Sequence, residues 1–187
     1  DLIMRNTEAV LSGNGSNMLL YGDAGTGKSS TIKAVAAHYA PEGLRLVEVK
    51  KTQLYQIPAI MEELSANPLK FILFIDDLSF SGNDDNFSAL KATLEGSISG
   101  TGDNVTIYAT SNRRHLVKET FQDRAGDELH LSDTIQETMS LAARFGLTIT
   151  FQKPGKDEYL EIVRSLAAEY GIDMDEEELF RKAEAHA

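Results

Sequence analysis

The segment Gly22-Asp23-Ala24-Gly25-Thr26-Gly27-Lys28-Ser29 satisfies the pattern GxxxxGK[ST] at every defined position, and its flanks decide what it means. Met18-Leu19-Leu20-Tyr21 ahead of it reads as a buried strand, and Ser30 to Tyr39 behind it as a helix. A strand, a glycine-rich turn and a helix in that order let successive backbone N–H groups converge at a helix N-terminus. The partial positive charge there favours an anion. Lys28 then reaches the β- and γ-phosphates of a nucleotide, and the Ser29 hydroxyl is a ligand for Mg²⁺. From average composition, a chance match in a chain this long is on the order of one per cent. A turn that merely opened a helix would leave Lys28 and Ser29 unexplained. Residues Gly22 to Ser29, with Ser30 following, are therefore read as a nucleotide triphosphate site.

Four further apolar, β-rich runs follow: Leu44 to Val49, Phe71 to Ile75, Val105 to Ala109 and Leu147 to Phe151. Helical patterns lie between them at Ile57–Leu64, Asn86–Ser97 and Thr134–Ala143. Strands alternating with helices predict an α/β fold of three layers, with a five-stranded parallel sheet covered on both faces. Ligands in such sheets bind outside the carboxyl ends of the strands. After Lys153-Pro154-Gly155 the pattern becomes purely helical, with Lys156–Tyr170, a stop at Gly171 and an acidic start over Asp173–Glu178 leading into Leu179–Ala187. The expected division is a nucleotide-binding domain over 1–153 and the start of a helical lid over 154–187. The polar segments Ser79–Asn86 and Lys118–Asp133 read as mobile loops.

Charge narrows the partners. With 18 basic and 29 acidic residues, net −11, the chain does not suit wrapping nucleic acid, although a local basic loop stays open. It has no cysteine, so neither a disulfide framework nor thiol chemistry is available. No apolar run approaches a membrane span and no signal-peptide pattern opens the chain, so a cytoplasmic protein without a membrane partner is expected. The chain starts at Asp1 inside what reads as a helix, as a piece of a longer protein would.

Phe71-Ile72-Leu73-Phe74-Ile75 runs into Asp76-Asp77. A buried strand ending in two carboxylates places both at the sheet's carboxyl edge, beside the phosphate loop. Asp76 would hold Mg²⁺, and Asp77 would act on the attacking water as general base. Val105 to Ala109 continues into Thr110-Ser111-Asn112. The Asn112 amide has both a donor and an acceptor with which to reach between γ-phosphate and water, and it reads equally well as the cap of a following helix.

The phosphate loop, Asp76-Asp77 and Asn112 together resemble Walker A, Walker B and sensor 1 of the AAA+ ATPases, over almost the whole chain. The segments Arg5-Asn6-Thr7-Glu8, Asp76-Asp77-Leu78-Ser79-Phe80, Ala109 to Leu116 and Arg144-Phe145-Gly146-Leu147 look like one bacterial AAA+ family of unassigned function. The Asp-Asp pair and the Arg-Phe step are also similar to replication initiators and helicase loaders. The resemblance favours the catalytic reading of Asn112. It implies Mg²⁺-dependent ATP hydrolysis in a homo-oligomer that remodels a protein or DNA client, or, as an alternative, a nucleotide-gated loader with slow turnover. It places Arg144 at the arginine finger, which reaches a nucleotide bound by a neighbouring subunit; an intramolecular salt bridge or a solvated rim position is the competing role for the same guanidinium. Most relatives carry Glu where this chain has Asp77. The family's sensor 2 arginine lies on a later lid helix that the chain does not reach. Nothing resembles the Asn-Lys-x-Asp guanine motif, which tilts the nucleotide toward ATP.

Arg113 and Arg114 follow Asn112 directly and suit the same subunit interface, a nucleic acid or an ordinary surface equally well. Lys50-Lys51 stands after the second strand, where AAA+ proteins place pore-facing loops. His38, His115, His130 and His186 are scattered without metal-ligand spacing.

Overall fold

The computed structural model describes residues 1–78, 85–97, 104–112 and 141–185. Five strands form one sheet: β1 (Met18–Gly22), β2 (Leu44–Glu48), β3 (Lys70–Ile75), β4 (Val105–Asn112) and β5 (Leu147–Phe151). Every pairing is parallel, in the order β2-β3-β4-β1-β5. The five-stranded parallel α/β sheet expected from the apolar runs is the sheet observed.

Alternation along the strands explains the layers. In β3, Phe71, Leu73 and Ile75 enter one apolar cluster, while Ile72 and Phe74 enter the other. A strand apolar on both faces has to be covered twice, because each fully buried Leu, Ile or Phe contributes about 1.5–3 kcal/mol only when water is excluded from it. One face is covered by Ile57 and Met61 of α3 (Ile57–Ser65) and by Leu90 and Leu94 of α4 (Asp85–Ser97). The other is covered by Ile3 and Val10 of α1 (Leu2–Leu11) and by Ile32, Val35 and Ala36 of α2 (Lys28–His38). The interior strands β3 and β4 are buried nearly throughout, whereas β5 alternates between half-buried and exposed, as an edge strand does.

A buried polar network ties α1 to the sheet. The Tyr108 hydroxyl, fully buried in β4, shares a 3.0 Å hydrogen bond with Thr7 Oγ1 and accepts one of 3.0 Å from Asn6 Nδ2. Asn6 also clasps the segment before β1, donating to Ser16 O and accepting from Ser16 N. The segment Arg5-Asn6-Thr7-Glu8 thus anchors α1, with Glu8 accepting from the Tyr39 hydroxyl at 2.9 Å.

The strand order brings three ends together. β4 lies between β3 and β1, with Ile75 in register with Ala109 and Asn112 with Gly22. The loop after β1, the turn after β3 and the last residues of β4 therefore share one edge of the sheet.

The chain divides into two compact units, Asp1–Phe151 and Gln152–Ala187. The second is a helical hairpin of α5 (Lys156–Glu169) and α6 (Glu176–Glu184). Gly171, with φ 63°, ends α5 in a left-handed cap: its N–H donates to Ala168 O and the Ile172 N–H to Ala167 O. Asp175 caps α6 by accepting from the Glu177 and Glu178 N–H groups. The hairpin is held by Tyr159 donating to Ala183 O at 3.1 Å, a Lys156–Glu184 ion pair of 2.9 Å and an Arg164–Glu176 ion pair.

Element boundaries moved slightly from expectation. Helix α2 begins at Lys28 rather than Ser30, because the Gly27 carbonyl already accepts from the Thr31 N–H. Helix α4 begins at Asp85, one residue before the expected start. Helix α6 begins at Glu176, because Asp175 is its cap. Of the expected loop over 79–86, residues 79–84 lie outside the described residues and 85–86 are helical. The expected loop over 118–133, most of the expected helix over 134–143, and Arg113 and Arg114 also lie outside the described residues, while residues 141–142 are helical.

Candidate active site

Between strand and helix, the phosphate loop is shaped by two glycines that do different work. Gly22 closes β1 with φ 152°, and a Cβ there would stand 1.8 Å from the Phe151 carbonyl oxygen at the end of β5. Gly27, with φ 86°, is the left-handed residue from which α2 starts, and a Cβ there would meet nothing within 4 Å. One glycine is required by close packing, the other by backbone direction. The Thr26 hydroxyl donates to Asp23 O at 2.8 Å and closes the turn between them.

Lys28 is 6% exposed. Its ammonium donates to Gly22 O at 3.2 Å, Asp23 O at 2.7 Å and Asn112 Oδ1 at 3.1 Å, which uses all three of its donors. Burial pushes its pKa below the ordinary lysine value, and the fields of Asp23, Asp77 and Asp76 pull it back only in part. The cation is thus carried on a short leash of carbonyls at the mouth of the loop.

Across from it, the turn after β3 is pinned to β4. Asp76 Oδ1 accepts from Ser29 Oγ and from Thr110 Oγ1, each at 2.6 Å, and from the Asp77 N–H at 3.1 Å. Burial raises the Asp76 pKa, but these donations and the Lys33 field outweigh it and hold the carboxyl below the usual carboxylate range. Asp77 is left-handed, at φ 52°, the one non-glycine residue with positive φ in the described chain. Such a conformation persists where its surroundings over-determine it. Here the Asp77 N–H donates to Thr110 Oγ1 at 2.9 Å, the Leu78 N–H to Thr110 O at 2.7 Å, and Ser111 Oγ to Leu78 O at 2.6 Å.

Asn112 joins the two halves. Its Oδ1 faces Lys28, and its Nδ2 donates to Asp77 Oδ1 at 2.7 Å. That orientation pairs donor with acceptor at both ends of the amide. A cleft of about 280 Å³ results, lined by residues 24–30 together with Asp76, Asp77, Thr110 and Asn112.

The structure therefore brings together Ala24, Gly25, Thr26, Gly27, Lys28, Ser29, Ser30, Asp76, Asp77 and Asn112. Gly22 and Asp23 stand behind the cleft, where their carbonyls hold the Lys28 ammonium. Arg144 is not among the lining residues: its Nε donates to Glu95 Oε1 of α4 at 2.7 Å, with Nη2 at 2.5 Å from the same oxygen. Sequence reasoning missed Thr110 and Ser111, 1% and 2% exposed. The signal was two consecutive hydroxyl residues at the end of an interior strand, which need partners when buried. His38 packs edge-to-face on Tyr39, and no group of three or more metal-ligating side chains occurs among the described residues. The other three histidines lie outside the described residues.

A family model described as "Protein of unknown function (DUF815)" matches residues 1–187. Among solved structures, the chain is similar to the FIGL-1 AAA domain in complex with ADP (16% identity, TM-score 0.59, covering 98% of this chain and 59% of that one). It is similar to the Thermotoga maritima RuvB Holliday junction branch migration motor (18%, 0.60, 97% and 53%). It is also similar to AMPPCP-bound DnaA from Aquifex aeolicus (18%, 0.55, 95% and 53%). These likenesses show the fold, that of a P-loop AAA+ domain, and the chain spans about half to three-fifths of the length of those proteins. No curated protein matches it.

Proposed function

The chain belongs to the family described as "Protein of unknown function (DUF815)", and from that premise we propose that it binds Mg·ATP in the cleft and hydrolyses it, coupling nucleotide state to the remodelling of a partner. The observation that carries this reading is the continuous chain Lys28–Asn112–Asp77 at the mouth of the phosphate loop. It sets a cation for phosphate, a polar amide and a carboxylate within one hydrogen-bonded unit.

The residues fit both groups by the chemistry of their donors. Ser29 Oγ and the Asp76 carboxylate, 2.6 Å apart, are the hard oxygen donors that Mg²⁺ takes, and they would hold it. The loop's backbone and the buried Lys28 suit a polyphosphate. When bound, Mg²⁺ neutralises phosphate charge. Lys28 turns its ammonium from Gly22 O and Asp23 O toward the phosphates. Asp77 orients the attacking water and takes its proton, and Asn112 keeps Asp77 in line with Lys28. Residues 1–153 form the nucleotide-binding domain in this reading, and 154–187 begin the lid. The protein works in the cytoplasm as a homo-oligomer in which Arg144 serves a neighbour's nucleotide.

Asp77→Asn tests the chemistry. It should keep ATP binding, because the amide preserves shape, while steady-state hydrolysis falls by about 10²–10⁴-fold, the contribution of a positioned base. Hydrolysis at the parental rate would remove Asp77 from the base role.

One observation favours a second reading, a nucleotide-gated loader or switch with slow turnover. Arg144 is held by Glu95 of its own chain, so delivering it to another subunit requires that pair to part. Turnover per subunit should then rise with protein concentration, and Arg144→Ala should lower it by about 10³-fold with ATP binding intact. Adding excess Lys28→Ala subunits, which lend an intact Arg144, should partly restore it. Turnover independent of dilution, with no rescue in mixtures that co-assemble, would confine Arg144 to its pair with Glu95. Turnover that emerges only when DNA or another client is added would select the switch over the constitutive remodeller.

A further inference from the structure

We propose that Thr110 is a positioning residue of this site: its single hydroxyl fixes the Asp76 carboxylate and the left-handed backbone of Asp77 at once. The proposal rests on the ATPase reading for its catalytic consequence and on geometry alone for the clamp. Thr110 Oγ1 donates to Asp76 Oδ1 at 2.6 Å and accepts from the Asp77 N–H at 2.9 Å, and the residue is 1% exposed. Its one donor goes to Asp76 and an acceptor lone pair goes to Asp77, so both bonds end on the two acidic residues.

The direction of the proton makes the arrangement specific. Asp76 Oδ1 collects two hydroxyl donations, one from Ser29 in the phosphate loop and one from Thr110 in β4. Two fixed donors on one oxygen orient the carboxylate plane, which a single contact leaves free to rotate. The same Thr110 oxygen receives the N–H of Asp77. Its main-chain carbonyl receives the N–H of Leu78, so β4 holds two consecutive amides of the turn. A left-handed aspartate is strained relative to relaxed backbone, and these bonds hold it there. The result aims the Asp77 side chain at Asn112 Nδ2. Serine would preserve the hydroxyl; valine would preserve the shape and lose both bonds.

Thr110→Val and Thr110→Ser, compared with the parent chain, test this in two independent ways. In the nucleotide-free protein, amide hydrogen exchange at Asp77 should quicken by about tenfold in Thr110→Val and stay near parental in Thr110→Ser. In steady-state hydrolysis, Thr110→Val should lower kcat by about ten- to a hundredfold, the factor carried by a lost hydrogen bond to a charged group. Its KM for ATP should change little and its Mg²⁺ requirement should rise; Thr110→Ser should recover kcat. Thermal melts establish that each variant is folded, and Thr110→Ala replaces Thr110→Val if that variant is not. Unchanged Asp77 exchange in Thr110→Val overturns the clamp. Equal loss of kcat in the valine and serine variants overturns the hydroxyl's role, because serine keeps the hydroxyl that valine lacks. A parent chain that hydrolyses no ATP, alone or with clients, rejects the ATPase reading, while Asp77 exchange still decides the clamp.

Discussion

The phosphate loop and the turn after β3 face each other across one cleft, yet they are built in opposite ways. The loop is mostly self-sufficient: Thr26 bonds Asp23 three residues away, and Lys28 bonds the carbonyls of Gly22 and Asp23 six and five residues away. The turn is held from outside: Asp77 and Leu78 are fixed by Thr110 and Ser111, 33 positions along the chain. A short-range device carries its instructions in a short motif. A long-range one is correct only when the whole sheet is in register.

The largest test of this contrast is Lys28→Ala, which should abolish Mg·ATP binding measured by calorimetry, because among the described residues no other side chain lining the cleft brings a cation to the phosphates. Near-parental affinity would mean that the loop is not the binding element. Gly22→Ala probes the place where the loop's backbone packs directly against a distant carbonyl, since its new Cβ would overlap Phe151 O. It should cost about 3 kcal/mol in urea unfolding, at the upper end for overpacking. A cost under about 1 kcal/mol would show that β5 yields and that the loop stands alone. The smallest effects are a matched pair. Ser111→Ala removes the buried donor to Leu78 O and should cost about 1–3 kcal/mol, while Thr26→Ala, on a half-buried local bond, should cost about 1 kcal/mol or less. Equal costs in the same unfolding experiment would erase the distinction between local and imported order.

The same contrast explains what could be read from the sequence. Each of the five apolar runs became a strand, because β-branched and aromatic side chains in an interior strand leave little choice. Lys28, Ser29, Asp76, Asp77 and Asn112 were found because each belongs to a pattern anchored to its own strand end. Thr110 was passed over because its partners, Asp76 and Asp77, are 34 and 33 residues upstream, and nothing local in Ala109-Thr110-Ser111 names them. The left-handed backbone of Asp77 was equally silent: aspartate tolerates that region, so its presence raises no flag. The partner of Arg144 was invisible for the same reason, since Glu95 lies 49 residues earlier on a helix whose facing direction only the packed sheet decides.

The strand order also has a consequence in time. Strand β1 is flanked by β4 and β5, the last two of the sheet's five described strands in chain order, and Asn17 beside it waits for Ile107, 90 residues later. At about 5–20 residues per second, the ribosome leaves that interval open for on the order of ten seconds. Strands β2 and β3, neighbours in both sequence and space, have each other long before then. Within this sheet, the apolar strand that carries the phosphate loop therefore emerges first and is completed last, so its unpaired edges stay open to mispairing longest.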